Sequence, residues 1–269
     1  MKFIFPNGKF AANPSSPYGV YMFSNQQEFW KLGEMDALVF FGCTPPPAKY
    51  FSFRSYVVTI FHNLHPNLVL ASLGDSTNHL VINSTGFNTN DPFGKTTVVT
   101  TTADMMTDRA VREAFVAAGL SGTAINTDIV PSSLVRLGEE PLADTFAMLY
   151  RVAVFQDPKQ GQAYINTTWP VLRISPPSHQ SALPFSTPPL RKRGTGTTEA
   201  SYNSSLSSFV NQVDKMVQKT GNYSVSHDQM SVVHLEGRTC IEEFTNCLGD
   251  NRYSQIYSHM QCSFNFNWH

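Results

Sequence analysis

The stretch from Tyr50 to Phe61 constrains the fold most, because its side chains alternate with the period of two that is typical of a β-strand. The apolar face of this stretch consists of Phe51, Phe53, Val57 and Phe61. The opposite face consists of Tyr50, Ser52, Arg54 and Tyr56. The pattern predicts a half-buried strand whose second face lies away from the core.

Short apolar or β-branched runs predict further strands at 36–43, 67–73, 80–82, 95–102, 124–130, 144–155 and 171–174. Apolar residues at helical spacing predict helices at 107–118 and about 198–220, and a short helix at 158–165. We therefore predict an α+β fold with a mostly antiparallel sheet, a few helices and a helix-led C-terminal segment. The strand–helix alternation over 95–130 leaves an α/β sheet as the alternative.

A change of composition divides the chain. Residues 176–197 are rich in Pro and Gly and include the basic run Arg191-Lys192-Arg193, which predicts a linker. It separates a β-rich domain, 1–175, from the helix-led segment, 198–252. The last residues, 253–269, lack Asp, Glu, Lys and Arg but keep several aromatic side chains. We interpret this tail as an artificial or disordered end.

The low charge of the chain excludes several classes of function. Charged residues make up 14% of the 269 residues, aromatic residues 12%, and the formal net charge is −1. The apolar content argues against wholesale disorder, and the balanced charge argues against a nucleic-acid partner. No apolar run approaches the roughly 18 residues of a membrane span. We predict no cofactor, because no sequence feature calls for one.

One motif points to nucleophilic chemistry. An apolar strand leads into Gly74-Asp75-Ser76, which resembles the first motif of the Gly-Asp-Ser-Leu hydrolase family, where the serine is the nucleophile. The resemblance implies a serine esterase or hydrolase that uses Ser76 and Asp75, with His234 as the candidate base. The Asp-x-x-His element of that family is absent. The alternative, which we favour, is a turn in which Asp75 caps backbone amides.

The second candidate site lies on the more polar face of the long strand. If that face is exposed, Tyr50, Arg54 and Tyr56 form an aromatic surface for a glycan, a lipid or a cell-surface ligand. The alternative is that the aromatic stripe belongs to the core. The pair His62 and His65 falls in a polar loop without a third ligand, so we predict no metal site.

The four cysteines leave their pairing open. Cys240 and Cys247 bracket a short polar loop that a disulfide could close, and two thiols are the alternative. Nothing in the sequence decides whether Cys43 pairs with Cys262. Four Asn-x-Ser/Thr sequons would mark a glycoprotein, but chance alone predicts about three. They begin at Asn83, Asn166, Asn203 and Asn222.

Four segments of the chain together form a further pattern: Leu38 to Phe53, Leu70 to Ser76, Pro131 to Gly138 and Gly249 to Arg252. In these segments the chain resembles an uncharacterised family of secreted proteins from bacteria and microbial eukaryotes. The resemblance implies secretion and a disulfide between Cys240 and Cys247. It implies no catalytic residue. The given sequence has no N-terminal apolar stretch long enough for a signal peptide, so a cytoplasmic location is the alternative.

Overall fold

The computed structural model describes residues 7–12, 20–24, 29–86, 91–167, 169–176, 181–191, 203–220, 231–233, 236–247 and 256–258. The chain divides into two compact units, of which the first comprises 1–190 with 236–250 and the second 191–235 with 251–269. Apart from 256–258, the tail interpreted as artificial lies outside the described residues.

In the described part of the first unit, ten strands form one sheet. The strands are β1 (Asn7–Ala12), β2 (Val20–Ser24), β3 (Ala37–Cys43), β4 (Ala48–His62), β5 (His65–Ser72), β6 (Thr77–Asn78), β7 (Thr96–Thr102), β8 (Ile125–Ile129), β9 (Thr145–Phe155) and β10 (Trp169–Ile174). Their order is β5-β4-β9-β2-β1-β10-β3-β7-β8, and β6 pairs with β4 beside β5.

The sheet is antiparallel at every described pairing except β7 with β8. That parallel pair is connected by helix α1 (Met105–Ala117) and a 3-10 turn, Gly122–Ala124. The prediction of an α+β fold with a mostly antiparallel sheet is therefore confirmed. The α/β alternation is limited to this one crossover, as expected for parallel neighbours that need a long connection.

The remaining helices are short or lie in the second unit. The first unit contains α2 (Pro158–Ile165) and α4 (Gly237–Glu243), and the second contains α3 (Asn203–Thr220). A small antiparallel pair in the second unit consists of β11 (Ser231–Val233) and β12 (Ile256–Ser258). Helix α4 and the strands β1 and β2 have no counterpart in the sequence-based prediction.

The main core contains side chains from both halves of the sheet. It combines side chains of β4 and β9 with those of β3, β7 and β10: Phe40, Phe51, Phe53, Val99, Tyr150, Val152 and Val171. The Phe53 and Tyr150 rings stack with centroids 4.0 Å apart. On the other side of β3 and β7, α1 inserts Val111 into a second cluster.

Strand β4 is buried on both faces, so the prediction of a half-buried strand is wrong. On the face predicted to lie away from the core, Ser52 and Arg54 are 1% exposed and Tyr56 is fully buried. Tyr56 packs with Val58 and Leu149 in a cluster separate from the main core. The strand has hydrogen-bonded neighbours on both sides, and a central strand covered on both faces does not need clean alternation.

Two local predictions have different outcomes. His62 and His65 flank a two-residue hairpin loop, in which Asn63 and Leu64 have φ of 49° and 67°. The predicted polar loop is therefore shorter than expected, because His62 and His65 are the paired end residues of β4 and β5. The strand predicted at 80–82 is wrong, because Val81 and Ile82 donate their backbone amides to the Asn78 carbonyl in a turn.

Candidate binding site at the edge of strand β4

The structure corrects the expectation that Tyr50, Arg54 and Tyr56 share an exposed surface. Arg54 and Tyr56 are 1% and 0% exposed, so they cannot form a surface with Tyr50, which alone of the three is half-buried. The Arg54 guanidinium carbon lies 5.7 Å from the centre of the Tyr56 ring, and that of Arg151 lies 5.1 Å away. Two guanidinium groups therefore lie within cation–π distance of the buried Tyr56 ring.

Arg54 joins the two sequence-predicted sites. Its Nε donates to the Gly74 carbonyl oxygen at 2.9 Å, and its Nη2 donates to Ser72 Oγ at 2.9 Å. These bonds hold the segment between β5 and β6, which run in the same direction along β4. The Gly-Asp-Ser motif is therefore an irregular connection within an interrupted strand, anchored by a buried arginine.

Ser76 occupies an interior position. It is 1% exposed, and its Oγ has almost no accessible surface. Because a nucleophile must meet its substrate, this burial counts against acyl transfer at Ser76 in this conformation. Asp75 is half-buried in the same segment, and the candidate base His234 lies outside the described residues.

Cys240 and Cys247 form a disulfide, as the family resemblance implies. The bridge closes the loop after α4, and the Cys247 amide donates to the Val69 carbonyl oxygen at 2.6 Å. At the start of α4, an added Cβ on Gly237 would lie 2.2 Å from the Ser72 carbonyl oxygen. The disulfide loop is thus packed directly against β5, beside the Arg54 anchor.

The other two cysteines are Cys43 and Cys262. Cys43 is half-buried and forms no disulfide with any described residue, and its carbonyl oxygen accepts a hydrogen bond from the Tyr164 hydroxyl at 2.6 Å. Cys262 lies outside the described residues. Within the part of the chain that the structure describes, no group of three His, Cys, Asp or Glu side chains could hold a metal ion.

Tyr50 belongs instead to a surface that sequence reasoning missed. Its ring meets the His79 ring edge to face, with centroids 5.8 Å apart and an interplanar angle of 81°. The next two residues are apolar and exposed, Leu80 at 77% and Val81 at 43%. We call Tyr50, His79, Leu80 and Val81 the Tyr50 edge.

The Tyr50 edge is held by a well-anchored turn. Asn78 pairs with Ser52 of β4, and its side-chain Oδ1 accepts from the Leu80 amide at 3.0 Å. The His79 amide donates to the Phe51 carbonyl oxygen at 3.2 Å. At the far end, Ile82 is 1% exposed within the main core. The sequence signal for this turn is Asn78, because Asn side chains readily accept a hydrogen bond from the backbone two residues later.

Two polar atoms of the Tyr50 edge have no hydrogen-bond partner among the described residues. They are the Tyr50 hydroxyl and His79 Nδ1, and both are buried atoms of half-buried residues. Burial lowers the pKa of His79, although the nearby Phe51 carbonyl opposes the shift. Buried polar atoms without partners are uncommon in native proteins and call for an explanation.

No protein-family model, curated protein or solved structure matches this chain. Among the described helices, none combines the length and the apolar character that crossing a membrane requires.

Proposed function

We propose that this protein is an extracytoplasmic binding domain that holds a glycan or lipid ligand against the Tyr50 edge. The observation that carries the proposal is the combination of exposed Leu80 and Val81 with the Tyr50 and His79 rings on one anchored turn. Ligand sites in proteins combine apolar and aromatic surface with a few placed polar groups.

The rigidity of the turn supports a binding role. Exposed apolar side chains on a mobile loop can fold back onto the protein, whereas the bonds of Asn78 and the burial of Ile82 restrain this turn. Leu80 therefore remains in water at a cost to the free protein, and a ligand that covers it removes that cost. Preorganisation also lowers the entropy lost on binding.

The disulfide between Cys240 and Cys247 supports an oxidising compartment, because cytosolic thiols are usually kept reduced. We propose that the protein is secreted and belongs to the family that it resembles. Two of the sequon side chains, Asn83 and Asn166, are exposed and open to glycosylation. Secretion from eukaryotic cells should then give a mass that falls after N-glycosidase treatment. An unchanged mass would remove the glycoprotein proposal.

Binding can be measured with two kinds of probe: neutral hexasaccharides, and phosphatidylcholine vesicles with and without phosphatidylglycerol. We expect the wild-type protein to bind one kind and Tyr50→Ala to lose that binding. Phe41→Ala is the matched control, because Phe41 is an aromatic residue 38% exposed that packs on Phe115 instead. Absence of wild-type binding, or equal binding by Tyr50→Ala, would overturn the proposal.

A further inference from the structure

We propose that the ligand of the Tyr50 edge is the surface of a zwitterionic phospholipid bilayer, into which the exposed side chains of Leu80 and Val81 insert. This inference rests on the proposed function and narrows its ligand to one chemical class. It follows from the protrusion of Leu80, the internal bonding of the turn that carries it and the absence of charged residues in that turn.

The protrusion of Leu80 fits a bilayer better than a single small ligand. Small ligands are held in concave sites whose walls surround them. Leu80 is 77% exposed and Val81 is 43% exposed, so here the side chains of the protein project into the solvent. A fluid bilayer can enclose a projecting side chain from every direction, whereas one sugar or one acyl chain covers only part of it. The protein side chains are therefore the inserted group, and the bilayer surrounds them.

The backbone of the turn suits an apolar environment. A backbone amide that enters lipid without an acceptor is costly, because the bilayer core offers no water to accept its hydrogen bond. Each of the five successive amides of residues 79–83 donates to an acceptor within the protein. The acceptors are the carbonyl oxygens of Phe51 and Asn78 and the side-chain oxygens of Asn78 and Asn126. The turn can therefore enter the membrane interface without leaving any of these amides unpaired.

The charge pattern favours a zwitterionic surface over an anionic one. Residues 76–83 contain no Asp, Glu, Lys or Arg. Burial lowers the pKa of His79, so its imidazole is neutral near pH 7. Lys49 lies next to Tyr50 and is exposed, but electrostatic binding to anionic lipid needs a cluster of basic residues, and the net charge of the chain is −1. Apolar insertion is therefore the main attraction.

The test measures sedimentation of the full chain with sucrose-loaded phosphatidylcholine vesicles. A single myristoyl chain binds with roughly 10⁴ M⁻¹, and two projecting side chains bury less apolar surface, so the titration has to reach lipid concentrations of the order of millimolar. We expect Leu80→Ala to lower the partition about tenfold, because it shortens the more exposed side chain. Leu64→Ala is the matched control and should leave the partition unchanged, since Leu64 is 73% exposed in the loop at the opposite end of β4.

A second measurement locates the inserted side chain. Leu80→Trp and Leu64→Trp each add an indole, and phosphatidylcholine brominated on its acyl chains quenches an indole that enters the apolar region. We expect quenching above the wild-type level in Leu80→Trp and at the wild-type level in Leu64→Trp. Equal quenching in the two variants would overturn the insertion of Leu80. Stronger binding when phosphatidylglycerol is added would overturn the zwitterionic assignment.

The outcomes separate this inference from the proposed function. If the wild type binds hexasaccharides but not vesicles, with loss in Tyr50→Ala, the bilayer inference is wrong and the proposed function stands. If Leu80→Ala binds vesicles as the wild type does while Tyr50→Ala does not, the insertion is wrong and the site stands. If the wild type binds neither probe, both proposals fall. Because Leu80 is mostly exposed, thermal unfolding of Leu80→Ala should match the wild type, which excludes misfolding as the cause of a loss.

Discussion

The buried carboxylate of Asp104 accepts a hydrogen bond from the backbone amide of Leu183, which lies 79 residues further along the chain. Leu183 N donates to Oδ1 at 2.5 Å, while Thr107 N donates to Oδ2 at 2.7 Å as the N-cap bond of α1. Asp104 is 0% exposed. One side chain therefore both begins the helix and attaches part of the predicted linker to the first unit.

Replacing Asp104 by Ala should cost more stability than replacing an ordinary N-cap residue. Loss of the N-cap bond costs about 1 kcal/mol of stability. Leaving the Leu183 amide without its acceptor costs roughly another 1–3 kcal/mol. The matched control is Asp157→Ala, which removes the exposed N-cap of α2. Denaturant unfolding of both variants should give the larger loss for Asp104→Ala. Equal losses would show that the Leu183 bond contributes nothing.

Gly237→Ala should destabilise the attachment of α4 to β5. Helix propensity alone favours Ala over Gly by about 1 kcal/mol, but the new Cβ would lie 2.2 Å from the Ser72 backbone oxygen. We expect a net loss of roughly 1–3 kcal/mol, as for other overpacked sites. Gly74→Ala is the control, since its Cβ would meet no atom within 4 Å.

Hydrogen exchange provides a local measurement for the same pair of variants. The amides of residues 236–247 should exchange faster in Gly237→Ala than in the wild type. In Gly74→Ala the same amides should exchange at the wild-type rate. Stabilisation by Gly237→Ala would mean that α4 does not pack against Ser72.

The buried carboxyl of Asp128 should make stability depend on pH. Burial raises its pKa, although hydroxyl bonds from Thr101 and Ser55 and the charge of Arg54 oppose the shift. The folded protein therefore binds the proton more tightly than the unfolded chain. Its free energy of unfolding falls as pH rises from about 4, the ordinary Asp value, through the raised pKa of the folded state.

Asp128→Asn abolishes this titration, so the substitution should cost more stability at pH 4 than at pH 7. Urea unfolding at the two pH values measures the difference. Asp157→Asn, on an exposed carboxylate of the first unit, is the matched control and should show the smaller change. A cost of Asp128→Asn that is greater at pH 7 would contradict the sign of the shift.

A fluorophosphonate probe should not label Ser76. The Oγ atom has almost no accessible surface, so the reagent cannot approach it in this conformation. Gel fluorescence of the wild type and Ser76→Ala should be indistinguishable, with an active serine hydrolase as the positive control. Labelling that disappears in Ser76→Ala would revive the hydrolase alternative, and with it the search for a base.

Most strands and helices of the first unit were predictable because their signals are local. The β-branched run at 95–102 became β7, and the apolar spacing of 107–118 became α1 with its ends shifted by one or two residues. Helix α4 was missed, because its seven residues are too few to show a helical period. The Tyr50 edge was missed because Leu80-Val81-Ile82 has the composition of a strand.

The sequence by itself predicted the α+β class through side-chain periodicity, and it contained the Gly-Asp-Ser motif and the closely spaced Cys240 and Cys247, whose pairing it left open. Only the tertiary structure decided which faces are buried. The alternation of residues in β4 shows which side chains share a face of the strand. Whether that face is exposed depends on which other elements pack against it. Arg54 and Tyr56 are buried, and Arg54 is bonded to the Gly74 carbonyl oxygen, whereas the Asn78 turn carries exposed side chains beside Tyr50. The candidate site therefore moved from Arg54 and Tyr56 to His79 and its neighbours.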